Sequence, residues 1–265
     1  MSLIKVKNLT FAHDGSYDNI FENVSFQIDT DWKLGFTGRN GRGKTTFLNL
    51  LLGKYEYSGS ISASVSFEHF PFHVERKENN TLEVIGDICP DYQHWQLLRE
   101  LSLLKVSEDI LYRPYNSLSN GEQTKVQLAA LFLKENSFLL IDEPTNHLDI
   151  HARKLVSDYL HAKRGFILVS HDRAFLDNCV DHILSINKTT IEIQKGNFSD
   201  WWENKQQQDD YEMAENEKLR KDIKRLNEAA KRTSNWSHEV EKTKNGTRNS
   251  GSKIDKGTSV TRLRK

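Results

Sequence analysis

Gly38-Arg39-Asn40-Gly41-Arg42-Gly43-Lys44-Thr45-Thr46 matches the spacing G-x-x-x-x-G-K-[ST] in full. Each residue type in that run suits the holding of phosphates. Glycines let the main chain wrap close to an anion, and successive N–H groups and a helix N-terminus face it. Lys44 brings a cation to the β- and γ-phosphates of ATP, and Thr45 offers a hydroxyl to Mg²⁺. A second cluster lies downstream, where the apolar run Phe138-Leu139-Leu140-Ile141 ends in Asp142-Glu143-Pro144. Asp142 can hold Mg²⁺ through water, and Glu143 beside it can orient the attacking water, so the two carboxylates divide the labour of phosphoryl transfer. An Asp-Glu pair at a strand end is by itself often a solvated turn; the upstream phosphate loop is what directs it towards catalysis.

These residues need elements to position them. Trp32 to Thr37 reads as a strand running into the glycines, and Lys44 to Leu52 as the helix that follows. Phe138–Ile141 suits a strand buried on both faces of a parallel sheet, and Gly165 to Val169 repeats the pattern before Ser170-His171-Asp172. Two such strands place polar residues at their carboxyl ends, the edge at which open α/β sheets bind ligands. A helix from about Ile150 to Ala162 connects them. Ahead of the phosphate loop, Ile4-Val6, Phe21-Val24 and Phe26-Ile28 form short alternating segments broken at His13-Asp14-Gly15-Ser16, the pattern of antiparallel strands. Gly59 to Phe70 is another β-rich stretch, and Leu82 to Lys134 reads as mostly helical. From Asn204 to Lys231 good helix formers dominate, with Leu219, Ile223, Leu226 and Ala230 on a heptad stripe that has no partner in this chain. Lys242 to Lys265 is Gly-, Ser-, Thr- and Lys-rich and is expected to be poorly ordered.

Composition bounds the setting. The 265 residues, 37% hydrophobic and 28% charged, suit one sizeable core plus an extension. Cys89 and Cys179 stand far apart without any Cys/His cluster, which points away from disulfides and zinc and towards a reducing cytoplasm. No stretch approaches the roughly 20 apolar residues that span a bilayer, so no direct membrane insertion is expected. A net charge of zero conceals an asymmetry: Lys218–Lys265 holds 15 Lys and Arg against 5 Asp and Glu, leaving 22 against 32 before it. A basic tail on an acidic body suits either contact with nucleic acid or a solvated helix.

Leu118-Ser119-Asn120-Gly121-Glu122-Gln123 resembles the ATP-binding cassette (ABC) signature, usually L-S-G-G-E/Q. It lies between the phosphate loop and Asp142-Glu143 in the family's order, followed by Leu148-Asp149 like the D-loop and His171 like the switch histidine. The resemblance implies an α/β fold: an ABC-type core with an antiparallel β subdomain and a helical subdomain, then a helical linker. It further implies a head-to-tail pairing with a second ABC domain, ATP lying between one phosphate loop and the opposite signature. Lys44, Glu143 and His171 then form the catalytic set. Gly38, Arg39, Asn40, Gly41, Arg42, Gly43, Lys44, Thr45 and Thr46 hold the nucleotide, with Ser119 and Gly121 acting in trans, and Thr45 and Asp142 hold Mg²⁺. Asn120 stands where the family carries Gly or Ser, and Asn tolerates positive φ better than most residues. The family's adenine-stacking aromatic corresponds to His13, and its Q-loop glutamine to Phe72, which cannot ligate a metal.

Asp142-Glu143-Pro144-Thr145-Asn146-His147-Leu148-Asp149, and Gly196-Asn197-Phe198-Ser199 leading into a basic helix, resemble the ABC-F class. Members carry two ATPase domains joined by a helical hairpin that reaches ribosomal RNA, and include translation factors and antibiotic-resistance proteins. On that likeness residues 1–198 are the ATPase domain, 199–241 half of the linker hairpin and 242–265 a basic tail. The ribosome is the implied partner and the cytoplasm the implied location. The ending of the chain suggests an N-terminal half or truncated form that binds ATP and hydrolyses it slowly. The same motifs also suit the motor of a membrane transporter, or a binding module whose ATP site controls assembly.

Overall fold

The computed structural model describes residues 2–13, 15–16, 18–38, 41, 43–187 and 189–247. In the first strand, β1 (Leu3–Phe11), the buried residues Ile4 and Val6 are out of phase with Leu9 and Phe11. A one-residue slip would turn half the strand to the wrong face. An irregularity in the pairing between Val6 and Leu9 absorbs it, with Asn8 at φ 49°, a left-handed conformation that Asn accepts at low cost. β1 pairs antiparallel with β2 (Phe21–Asp29) and with β4 (Ser58–Ser62), giving the order β2-β1-β4. The segments expected at Phe21–Val24 and Phe26–Ile28 are thus one continuous strand.

The second sheet has the order β5-β6-β7-β3-β8-β9, from β5 (Ser66–Phe70), β6 (Ser137–Asp142), β7 (Phe166–Val169), β3 (Lys33–Thr37), β8 (His182–Asn187) and β9 (Thr190–Lys195). Its members run parallel except for β9. The β-rich stretch Gly59–Phe70 therefore divides, with β4 in one sheet and β5 in the other.

Side chains alternate across this sheet and sort into two cores. Leu139, Ile141, Phe166 and Leu168 face a helical side with α2 (Thr81–Ile88), α3 (His94–Leu103), α4 (Asn120–Leu131), α5 (Ile150–His161) and α6 (Arg173–Cys179). Phe138, Leu140, Ile167 and Val169 face the antiparallel sheet and α1 (Lys44–Leu51), where Phe47 meets Phe21, Phe26 and Phe36. Burial on both faces is what the continuous apolar runs require.

The phosphate-loop helix α1 has a defined stop. The Gly53 N–H donates to Leu50 O and the Lys54 N–H to Asn49 O, and Gly53 sits at φ 69°. This is a Schellman closure, which needs a left-handed residue at that point. The chain divides into two compact units, residues 1–204 and 205–265. The last helix, α7 (Phe198–Thr247), supplies the end of the first and, among the described residues, the whole of the second. In it Leu219, Ile223 and Leu226 are exposed. Among the described residues no helix is long and apolar enough to cross a membrane. Of the tail expected from Lys242 onward, 242–247 belong to α7, and 248–265 lie outside the described residues.

Candidate functional site

Because β5, β6, β7 and β3 are parallel, their carboxyl ends share one edge of the sheet. That edge receives Phe70-Pro71-Phe72 from β5, Asp142-Glu143 from β6, Ser170-His171-Asp172 from β7 and the phosphate loop from β3. Gly43 caps α1 in a left-handed conformation, φ 96°. A Cβ there would stand 2.5 Å from Ile20 Cγ2 and 3.2 Å from Phe21 Cζ, so glycine is required for both conformation and space. The Lys44 ammonium donates to Gly38 O at 2.8 Å. Burial lowers the Lys44 pKa, against the pull of Glu143 and Asp142, which places both carboxylates within electrostatic reach of the ammonium. Gly38, Gly41, Thr45 and Thr46 are described with the loop and helix start; Arg39, Asn40 and Arg42 lie outside the described residues.

Asp142 closes β6, and Glu143 follows at φ 50° with its N–H bonded to Val169 O at 2.9 Å. A left-handed non-glycine residue costs energy that the surroundings must supply, and such residues gather at functional sites. Glu143 is one of six non-glycine residues at positive φ among the described residues, whereas Asn120, the first residue of α4, is not among them. His171 Nε2 lies 3.5 Å from Glu143 Oε1, and the His171 side chain is largely exposed. Two buried side-chain oxygens among the described residues have no hydrogen-bond partner, Thr37 Oγ1 and Glu143 Oε1. Both occur at this edge, one at the end of β3 and one just past β6. Buried polar atoms are almost always satisfied, so this edge is built for a polar ligand, and the ammonium, glycine cradle and carboxylates suit a phosphate group with a hydrolytic water.

Burial raises the Asp142 pKa, opposed by His69, Lys44 and His171; burial likewise raises that of Glu143, opposed mainly by His171. A carboxyl whose folded-state pKa lies above its unfolded value adds stability below the unfolded pKa, and that stability is lost as pH rises through the folded pKa. Removing the charge should therefore stabilise the nucleotide-free protein at neutral pH. Asp142→Asn is expected to raise the Tm by about 1–2 °C at pH 7, since solvent screens a half-buried charge to ~0.5 kcal/mol, and by less at pH 5. Thermal melts at the two pH values check this, and a lower Tm at pH 7 would contradict it.

Ser119 caps α4 in a capping box: its N–H and Oγ each lie 2.8 Å from Glu122 Oε2, and the Glu122 N–H returns to Ser119 Oγ at 3.3 Å. The N–H bond from Ser119 is the first cause holding the Glu122 carboxyl below its ordinary pKa. Gly121 follows in the first turn, where an added Cβ would touch Leu148 at 3.5 Å. Ser119 hydrogen-bonds within its own segment.

At the Q-loop position the Phe72 side chain packs against the helical-side core. Its main chain is held by Gln127 of α4, which accepts from Phe72 N–H at 3.0 Å and donates to Phe72 O at 3.1 Å. Gln127 and His69 are contributors that the motif spacing does not mark. His69 opposes the burial that raises the Asp142 pKa; its own pKa is lowered by burial, and its Nδ1 lies 3.2 Å from Pro71 O. His13 is exposed, its ring 5.1 Å from Phe11 and 5.7 Å from Tyr55, so Tyr55 is a further aromatic at that point without a sequence signal.

The family described as "ABC transporter" matches residues 21–146. The chain is 33% identical over 204 residues to "Ribosome protection protein VmlR" of Bacillus subtilis (strain 168), covering 72% of this chain and 35% of that protein. It is 26% identical over 209 residues to "ABC transporter F family member 5" of Arabidopsis thaliana, covering 75% and 30%. The chain thus spans about a third of the length of these relatives. In fold it is similar to a bacterial Atm1-family ABC exporter solved with ATP bound, with a TM-score of 0.64, 19% identity, and coverage of 77% of this chain and 40% of the other. The fold and the phosphate-loop edge define an ATP-binding cassette ATPase domain. Within that class the chain is similar to ABC-F proteins.

Proposed function

We propose that this domain binds and hydrolyses Mg-ATP in partnership with a second ABC domain, and acts on the ribosome in antibiotic resistance or translation. The observation that carries the chemical part is Glu143 Oε1, buried without a hydrogen-bond partner and 3.5 Å from His171 Nε2, beside Asp142 and within the field of Lys44. Lys44 holds the β/γ-phosphates, and Gly38, Gly41, Gly43 and Thr46 line their path with the intervening loop. Mg²⁺ prefers a few protein oxygens together with phosphates and waters. Thr45 Oγ1 and the Asp142 carboxylate fit that preference, and among the described residues no trio of His, Cys, Asp or Glu forms an alternative cage. The ion, when bound, neutralises charge developing on the phosphates. Glu143 orients and deprotonates water, His171 reaches the γ-phosphate, and His13 stacks on the base. Ser119 and Gly121 contact a nucleotide held by another ABC domain, Ser119 by turning its hydroxyl from Glu122 to the phosphate.

Residues 1–198 are the ATPase domain in this reading, 199–241 begin a linker and 242–265 form a basic tail. The ribosome as partner is supported by the likeness to a protein named for ribosome protection and by the excess of Lys and Arg from Lys218 onward. Co-sedimentation with ribosomes tests it: Glu143→Gln with ATP should pellet with ribosomes, and raising salt should release it steeply. Absence of the variant from the ribosome pellet, with ATP affinity intact, would overturn the ribosomal assignment.

A further inference from the structure

The segment Ser170-His171-Asp172 at the end of β7 is tied on both sides. Ser170 Oγ lies 3.4 Å from Thr145 Oγ1, both residues buried, and accepts the Asp172 N–H at 3.1 Å. The Asp172 carboxylate caps α6 by accepting from Phe175 N–H at 3.1 Å, and stands 3.6 Å from the Arg153 guanidinium. Arg153 also donates through Nε to Leu148 O at 3.0 Å. One guanidinium thus joins the segment after Asp142-Glu143 to the segment carrying His171.

Side-chain contacts link α6 to the first turn of α7, which follows β8 and β9 in the chain. The Asp177 carboxylate accepts from the Ser199 N–H at 2.8 Å and from Ser199 Oγ at 3.1 Å. The Arg173 guanidinium lies 4.5 Å from the Trp202 ring centre and 5.9 Å from that of Phe198, and these two rings stack at 14°. Arg173 is the first residue of α6, immediately after Asp172. A planar guanidinium over an indole face is a directional contact, more than a solvated charge. α6 is only seven residues long, so a shift of the loop before it displaces both contacts together.

We propose that Arg173 is a positioning residue that couples the state of the His171 segment to the orientation of the first turn of α7. The coupling rests on the ATP-site reading above, in which His171 responds to the γ-phosphate. A ligand shifts a second element only through differential contacts in the two states; the contacts here are the Arg173–Trp202 stack and the Asp177–Ser199 cap. Neither pair takes part in holding phosphate.

Hydrogen exchange of residues 198–204 in the full chain, with and without ATP in a Glu143→Gln background, tests the coupling. ATP should change exchange in this turn by about two- to fivefold, the range a contact of this kind supports. Arg173→Met, which keeps the stem and removes the cation, should abolish that change; Arg173→Lys, which keeps a cation over the ring, should restore part of it. Binding of a fluorescent ATP analogue is measured on each variant and should be unaffected. If Arg173→Met shows the full ATP-dependent change, or if no variant shows one although ATP binds, the coupling is refuted. If the Arg173-intact protein binds no ATP, the ATP-site reading fails and the coupling with it.

Discussion

Glu143→Gln should lower ATP turnover by about 10²- to 10⁴-fold, the contribution of a positioned general base, while leaving ATP affinity close to that of the parent. The side chain is held at the sheet edge by its own main chain, with the N–H bonded to Val169 O and φ in the left-handed region. Glutamine keeps the shape and one acceptor oxygen but cannot take a proton from water. Burial raises the Glu143 pKa above the ordinary carboxylate value, which brings the base nearer the working pH and improves proton transfer. The sign follows: turnover in the parent should rise with pH as Glu143 loses its proton, and the residual rate of the Gln variant should lack that rise. Phosphate release from chain paired with a second ABC domain, read across pH 5–8, checks both statements. A Gln variant that turns over like the parent would remove Glu143 from the chemistry.

The parts legible in the sequence are those in which local pattern and tertiary role coincide. Phe138–Ile141 and Gly165–Val169 announce buried strands because both faces are covered, and they pair as β6 and β7. The phosphate loop is legible because its glycines answer to close backbone approach, as Gly43 against Ile20 and Phe21 shows. Other features depend on contacts remote in sequence. Nothing in Gly59–Phe70 tells β4 from β5, since the choice of sheet is made by Val6 and Ile141, the partners opposite Ile61 and Phe70. The strands β8 and β9 pass unmarked because their apolar runs are short and lead to no chemical motif. Residue type alone does not assign the left-handed positions: Asn8, Asn23 and Asn136 adopt them, but Asn120 starts α4, and Glu143 is left-handed with its N–H bonded to Val169 O. Gln127 is invisible for the same reason, since its value lies in Phe72, 55 residues earlier in the chain.

Lys44→Met should weaken ATP binding by about 10- to 150-fold, corresponding to loss of a charged hydrogen bond worth ~1.5–3 kcal/mol. The Lys44 ammonium is partly buried and donates to a neutral acceptor, Gly38 O. Its pKa is lowered first by desolvation, so the cation is incompletely compensated in the nucleotide-free protein. A phosphate oxyanion in the glycine cradle is a stronger acceptor than a carbonyl, and the differential between the two partners is what binding gains. Methionine preserves the length and apolar contacts of the stem, so α1 and the packing of Phe47 beneath it should survive, and the far-UV circular dichroism should be unchanged. Because the ammonium is partly buried, much of the loss should persist at high ionic strength, where a surface lysine's contribution would be screened away. Titration with a fluorescent ATP analogue at low and high salt separates the cases. An affinity equal to the parent's would show that the loop main chain alone holds the phosphates, and a loss that vanishes in high salt would place Lys44 outside the cradle.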